Sequence, residues 1–165
     1  MNSWLIFSSA VIKEVRPKVS KSFQGRPILT GTISGEALVS RSGFNAYACF
    51  FNSLQDDVSY AECTDSGNKD LFGKRLDGRI ICLPNTIGST SAGAVWQRVA
   101  RLGIAPLAML FSLPIDSMAA GGLIVADIWA EKRIITIDQL GKEFLDNVVE
   151  GDHVSVQVDG TVIIN

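Results

Sequence analysis

The stretch Arg79-Ile80-Ile81-Cys82-Leu83-Pro84-Asn85-Thr86-Ile87-Gly88-Ser89-Thr90-Ser91-Ala92-Gly93 decides how this chain folds. Arg79 to Leu83 is a short, continuous apolar run, the pattern of a strand covered on both faces, and Pro84 ends it. After the Gly-Ser-Thr-Ser turn the period changes. Val95, Val99 and Leu102 recur at i, i+4 and i+7, with Gln97, Arg98 and Arg101 on the other side, which predicts an amphipathic helix. Gly103 is placed to close it in a left-handed conformation, and Pro106 follows. Leu107 to Phe111 is a second apolar run. Strand, turn, helix, strand is a βαβ unit, and its two strands run parallel.

Working outward, Ile28-Leu29-Thr30, Glu36-Ala37-Leu38-Val39-Ser40 and Ala46-Tyr47-Ala48-Cys49-Phe50 read as short strands. A polar stretch with Gly67-Asn68 and Gly73 reads as loop. Downstream, Asp116 begins a turn-to-helix segment, Ser117-Met118-Ala119-Ala120, which passes through Gly121-Gly122 into the apolar Leu123-Ile124-Val125-Ala126. Val154-Ser155-Val156-Gln157-Val158 alternates, Asp159-Gly160 signals a type I′ turn, and Thr161 to Ile164 completes a hairpin. Residues 1–24 read as an N-terminal extension, with apolar Trp4-Leu5-Ile6-Phe7 followed by Lys13, Arg16, Lys18 and Lys21. Residues 25–165 read as one domain. The expectation is an α/β fold with a compact β-barrel-like core and a central βαβ unit.

Composition narrows the function classes. Of 165 residues, 47% are hydrophobic and 19% charged, enough apolar side chain for a packed core. A net charge of −2 provides neither the basic stripe of a nucleic-acid binder nor a basic membrane-surface face. No segment approaches ~20 uninterrupted apolar residues, and Trp4 to Phe7 lacks the flanks of a signal peptide. Cys49, Cys63 and Cys82 are odd in number and without a CxxC pair, which fits a reducing compartment, so a soluble cytoplasmic protein is expected. His153 is the only histidine and sits far along the chain from the cysteines, so no metal site is expected. Cys82 reads as a small buried hydrophobe. His153 reads as a surface or turn residue.

The chemistry concentrates at Gly88-Ser89-Thr90-Ser91. A turn between a buried strand and a helix start gathers unpaired N–H groups, the positive end of the helix dipole, and a glycine that permits close approach. Two readings stand side by side: the hydroxyls cap the helix, or they hold an anionic group, with a serine acting as base if its alkoxide is stabilised. Asp116 is either the N-cap of the next segment or a second group facing the same pocket, since α/β sheets bind ligands at the carboxyl ends of their strands. Trp96 is packing or an interface anchor. The turn is neither a Walker loop nor a Gly-x-Ser-x-Gly elbow.

The ordered pieces Ile80-Ile81-Cys82-Leu83-Pro84, Gly88-Ser89-Thr90-Ser91, Gly103-Ile104-Ala105-Pro106 and Asp116 through Gly122-Leu123-Ile124-Val125-Ala126 resemble the small subunit of the aconitase X family. Gly35-Glu36-Ala37-Leu38-Val39-Ser40 and Gly151-Asp152-His153-Val154 extend the match over about residues 25 to 165. The resemblance implies a swivelling β/β/α domain of the aconitase C-terminal type. It also implies a large aconitase X subunit as partner, which carries an iron–sulfur cluster; this chain has no cluster-ligand spacing of its own. By the same resemblance Ser89 is the base that removes a proton from carbon beside a carboxylate. Asn85, Gly88, Thr90, Ser91 and Asp116 are the candidate residues for binding a small carboxylate substrate.

Aconitase X enzymes dehydrate cis-3-hydroxy-L-proline, giving Δ1-pyrroline-2-carboxylate, or mevalonate 5-phosphate. The phosphate-using members approach the serine turn through Arg-Gly-Arg-Gly. Here the approach is Asn85-Thr86-Ile87-Gly88, without a guanidinium clamp for phosphate. The expectation is therefore the hydroxyproline substrate, with mevalonate 5-phosphate as the alternative. A reading of another class is a non-catalytic swivel module that binds a carboxylate or regulates a partner.

Overall fold

The computed structural model describes residues 19–55 and 57–165; the expectations for residues 1–18, including Trp4 to Phe7, lie outside the described residues. In chain order the elements are β1 (Lys21–Gln24), β2 (Arg26–Leu29), β3 (Ile33–Val39), β4 (Phe44–Asn45), α1 (Ala46–Phe50), a 3-10 turn (Phe51–Ser53), β5 (Ile80–Leu83), β6 (Thr86–Ile87), α2 (Ala92–Leu102), β7 (Ala108–Phe111), α3 (Ser117–Ala130), β8 (Ile135–Asp138), α4 (Gly141–Asn147), β9 (His153–Val156) and β10 (Thr161–Ile164). Eight strands form one sheet in the order β1-β10-β9-β3-β5-β7-β8-β2. Its two edges, β1 and β2, are consecutive in the chain and separated only by Gly25. The sheet thus curls almost into a barrel, and Gly25 N–H donates across the join to the Gly160 carbonyl at 3.1 Å.

All four residues of β5 are buried, and so are all four of β7 and of β8. The alternation of strand side chains explains this. Ile80, Cys82, Ala108, Leu110 and Ile137 point into the barrel, against Phe144 of α4 and Val154, Val156, Val162 and Ile164 of the hairpin. Ile81, Leu83, Met109 and Phe111 point outward, under the helices. There Trp96 stacks on Phe44 at 5.8 Å between centroids and meets Phe50 edge-on at 5.7 Å. Trp96 is fully buried, so of its two readings the structure takes packing. Burial pushes the Cys82 thiol pKa up, as expected of an inert core cysteine.

The predicted βαβ unit is present, with β5 and β7 parallel and Gly103 closing α2 at φ 74°. Other expectations are corrected. Ala46 to Phe50 is helical, because the Asn45 side chain accepts from Ala48 N–H and starts a turn; the buried residues Ala46, Cys49 and Phe50 follow helical spacing. The hairpin turn is not type I′. Gly160 has φ 90° whereas Asp159 is not at positive φ, and Gly160 N–H donates to the Gln157 carbonyl, so one left-handed residue closes a longer connection. Ser117 to Ala130 is a single helix, since Gly121 and Gly122 are tolerated where α3 packs on α2. Lys21–Gln24, placed in the extension by sequence, pairs with β10 as a strand of the sheet.

One buried charge ties the join to the edge where α3 begins. The Asp138 carboxylate is fully buried and accepts two bonds from the Arg26 guanidinium, at 2.9 and 2.7 Å, and one from Ile115 N–H at 2.8 Å. Burial alone would raise its pKa, but Arg26 and the Ile115 N–H outweigh burial and hold it below the usual carboxylate value. Its contribution to stability is therefore complete above the unfolded carboxylate pKa, about 4, and is lost as pH falls through the lower folded value. Asp138→Asn is expected to lower unfolding free energy by about 2–3 kcal/mol at pH 7, and to flatten the loss of stability in acid. Urea unfolding at pH 7 and pH 3 checks this; equal destabilisation at both would contradict it.

Candidate active site

The turn after β5 is fixed from three sides. The Asn85 carbonyl accepts from Phe44 N–H at 2.9 Å, and the short parallel pair β4 and β6 sets Phe44 beside Thr86 and Asn45 beside Ile87. Gly88 follows at φ 113°, packed so closely on Asn45 that an added Cβ would stand 2.9 Å from Asn45 Oδ1. Only glycine takes this backbone without strain. The Ser89 carbonyl then accepts from Ala92 N–H at 3.2 Å, which folds the turn into the start of α2.

The second side of the site comes from the next crossover. Ser112 N–H donates to the Leu83 carbonyl at 3.0 Å and Leu113 N–H to the Pro84 carbonyl at 3.2 Å, so the parallel pairing runs past the strand ends. Asp116 then caps α3 in extended conformation, with Oδ1 accepting from Met118 N–H at 2.9 Å and Ala119 N–H at 3.0 Å. Its Oδ2 accepts from the Thr86 hydroxyl. Helices α2 and α3 cross at glycine, where a Cβ on Gly122 would lie 2.7 Å from Gly93 Cα. That close crossing brings the two helix starts together.

Between them lies a concavity of about 80 Å³, lined by Thr86, Gly88, Ser89, Asp116, Met118 and Ala119, with Ala46 of α1 at one side. Partial burial would raise the Asp116 pKa, but the Thr86 hydroxyl and the two cap N–H groups outweigh it and keep the carboxylate ionised at neutral pH. Among the described residues no lysine, arginine or histidine lines it.

Both readings of Asp116 thus hold at once, as cap and as lining group. Gly88, Ser89 and Asp116 share the concavity. Ser91 reaches it only through Ser89, their Oγ atoms being 2.7 Å apart. Asn85 turns its side chain to the Thr86 carbonyl at 3.0 Å. Thr90 lines a separate groove between α2 and α3, with Gly93 and Gln97. Sequence reasoning passed over Thr86 and Met118. Thr86 lies thirty residues before its partner Asp116, a juxtaposition set by tertiary pairing: β4 with β6 on one side and β5 with β7 on the other. His153 is exposed on β9, opposite Glu36 and away from this edge.

Among the described residues no three His, Cys, Asp or Glu side chains converge as metal ligands. Cys49, Cys63 and Cys82 are all buried in the two cores and do not fit the ligation of an iron–sulfur cluster. Among the same residues no helix is long and apolar enough to cross a membrane.

The family model of the aconitase X swivel domain matches residues 22–164. The chain belongs to that family. A phosphomevalonate dehydratase small subunit from Methanocella arvoryzae is 28% identical over 138 residues, which are 84% of this chain and 92% of that protein. A cis-3-hydroxy-L-proline dehydratase from Pseudomonas aeruginosa is 29% identical over 119 residues, 72% of this chain but 19% of that longer protein. The crystal structure of Thermococcus kodakaraensis aconitase X in its holo-form superposes with a TM-score of 0.73 at 25% identity, covering 88% of this chain and 98% of that one. The barrel-like mixed sheet with helices over one face is thus the swivel-domain fold.

Gly88→Ala is expected to cost about 1–3 kcal/mol of stability, because the added methyl group meets both a disfavoured backbone and Asn45. Urea denaturation measures it, and an unmoved midpoint would contradict the packing described.

Proposed function

We propose that this swivel domain is the small subunit of an aconitase X-type hydro-lyase, in which Ser89 is the base of a dehydration completed by a large subunit. The observation that carries the proposal is the position of Ser89. It stands just before α2, in a concavity at the carboxyl ends of parallel strands that it shares with the Asp116 carboxylate at the start of α3. The positive end of the α2 dipole favours an oxyanion at this position. The Ser89 alkoxide takes the proton from the carbon next to the substrate carboxylate. The released pair forms the double bond, the carbon–oxygen bond on the neighbouring carbon breaks, and the hydroxyl leaves as hydroxide, which becomes water on taking a proton from a general acid of the large subunit. The family's iron–sulfur cluster is assigned to the partner, where it would act as Lewis acid on that hydroxyl.

The substrate we favour is cis-3-hydroxy-L-proline. Its ring nitrogen carries a positive charge, and among the described residues the one charged side chain that lines the concavity is the Asp116 carboxylate. Loss of the C2 proton and the C3 hydroxyl gives an enamine that tautomerises to Δ1-pyrroline-2-carboxylate. Mevalonate 5-phosphate is the second reading. It is favoured by the relatives from Methanocella arvoryzae and Methanosarcina acetivorans, both named phosphomevalonate dehydratase small subunits. On that reading the cations for the phosphate come from the large subunit.

A partner is supported by the surface beside the site. Met118 lines the concavity and also begins an apolar stripe that continues along α3 through Val125 to Ile128 and Trp129, all exposed. A stripe of this kind on a small domain marks a protein interface.

The native pair, assayed on both substrates, separates the two readings. Ser89→Ala should abolish dehydration while leaving assembly intact, and unchanged turnover would remove Ser89 as base. Asp116→Asn keeps the helix cap and deletes the charge, so with hydroxyproline its KM should rise about tenfold or more while kcat changes less. With mevalonate 5-phosphate the same variant should leave KM unchanged or lower it.

A further inference from the structure

Ser91 holds the N-cap position of α2 but makes no cap. Its backbone is helical, at φ −67° and ψ −13°, and its side chain bonds to none of the helix N–H groups. The contrast with the other polar caps is informative. Asn45 and Asp116 are extended, and each accepts from N–H groups of the helix it starts. The Ser91 hydroxyl is used instead on Ser89, at an Oγ–Oγ distance of 2.7 Å. The geometry is enforced by the backbone: Ala92 N–H closes the turn on the Ser89 carbonyl, while Ala94 and Val95 N–H both donate to the Ser91 carbonyl. Ser89 lines the concavity and Ser91 does not.

From this arrangement we infer that Ser91 is a positioning residue, whose hydroxyl donates to Ser89 Oγ from the side away from the substrate. The inference rests on Ser89 as base. In the resting state either hydroxyl can donate to the other. Once Ser89 is deprotonated only Ser91 can, and the bond becomes charge-assisted and stronger. A donor aimed at the alkoxide favours the ionised form and fixes the direction of its remaining lone pairs toward the carbon acid. Forgoing a helix cap is the structural trace of that use. The role differs from substrate contact, because Ser91 meets the substrate space only through Ser89.

Two measurements test it. In the native pair with its large subunit, Ser91→Ala should lower kcat at least about tenfold with little change in KM. The acidic limb of the rate profile should move to higher pH, and Ser91→Thr, which keeps the hydroxyl, should restore both. The second measurement needs no substrate. In Ser89→Cys the introduced thiol is the exposed one, since Cys49, Cys63 and Cys82 are buried. Its alkylation rate against pH gives the thiol pKa, and adding Ser91→Ala should raise that pKa by about one unit. An unchanged thiol pKa overturns the inference. So does a Ser91→Ala pair whose KM rises at unchanged kcat, since that assigns Ser91 to the substrate. An active Ser89→Ala pair overturns the base and with it this role, whereas an inactive one beside a fully active Ser91→Ala pair overturns Ser91 alone.

Discussion

Burial of β5 on both faces is the constraint from which the site follows. Ile80 and Cys82 fill the barrel while Ile81 and Leu83 lie under the helices, so the strand has no solvent face at all. A strand in that position is a central strand, and here its neighbours β3 and β7 both run parallel to it. Parallel neighbours require crossovers, and a crossover from one end of a strand must return along the outside. The chain therefore leaves β5 and β7 at the same edge, through the Gly88-Ser89 turn in one case and Asp116 in the other. The two helix starts are close because the hydrophobic pattern leaves them no other place.

Packing then sets the spacing to within the reach of a hydrogen bond. Gly93 and Gly122 let α2 and α3 approach until backbone meets backbone, and Thr86 of β6 bonds across to Asp116. The carboxylate at Asp138 stands behind this edge. It receives Ile115 N–H, one residue before the α3 cap, and Arg26 from the strand that completes the barrel. Closure of the sheet and placement of the α3 start thus share one buried anion. An unpaired carboxylate there would be strongly unfavourable, so the join and the site edge are held in register together.

Much of this was legible from residue order. The all-apolar run before Pro84, the 3.6-residue period after Ala92 and the glycine at 103 each encode local structure, and the structure follows them. Ala46 to Phe50 misled because five mostly apolar residues fit a strand or a helix equally well, and the deciding bond from Asn45 is invisible as a pattern. The strand Ile135–Asp138 and the helix Gly141–Asn147 are short, and tertiary burial rather than propensity defines them. At the site, Ser89 and Asp116 stood out because helix starts carry a chemical signature. Thr86 did not, because its role depends on a two-residue strand pairing across forty positions of chain. Of the two readings of the turn, capping does not describe the Ser91 side chain, which makes no cap bond and lies 2.7 Å from Ser89 Oγ; a propensity counts how often a hydroxyl caps and cannot register a competing partner next to it.

The concavity at Ser89 is about 80 Å³, small and open at its mouth. Water competes for every polar contact in such a place, and an alkoxide base is effective only where water is excluded and the local dielectric is low. Among the described residues nothing closes the mouth: Ile87 and Met118 border the opening with exposed side chains. From Met118 the exposed apolar surface runs on along α3 to Trp129. A subunit seated on that stripe would remove water from the apolar surface and from the mouth of the concavity in one event. The free energy of apolar burial would then be coupled to the desolvation that the base requires. On the proposed reading, the domain without a partner would keep Ser89 in place yet solvated, so the same burial that seats the partner would also switch on the base.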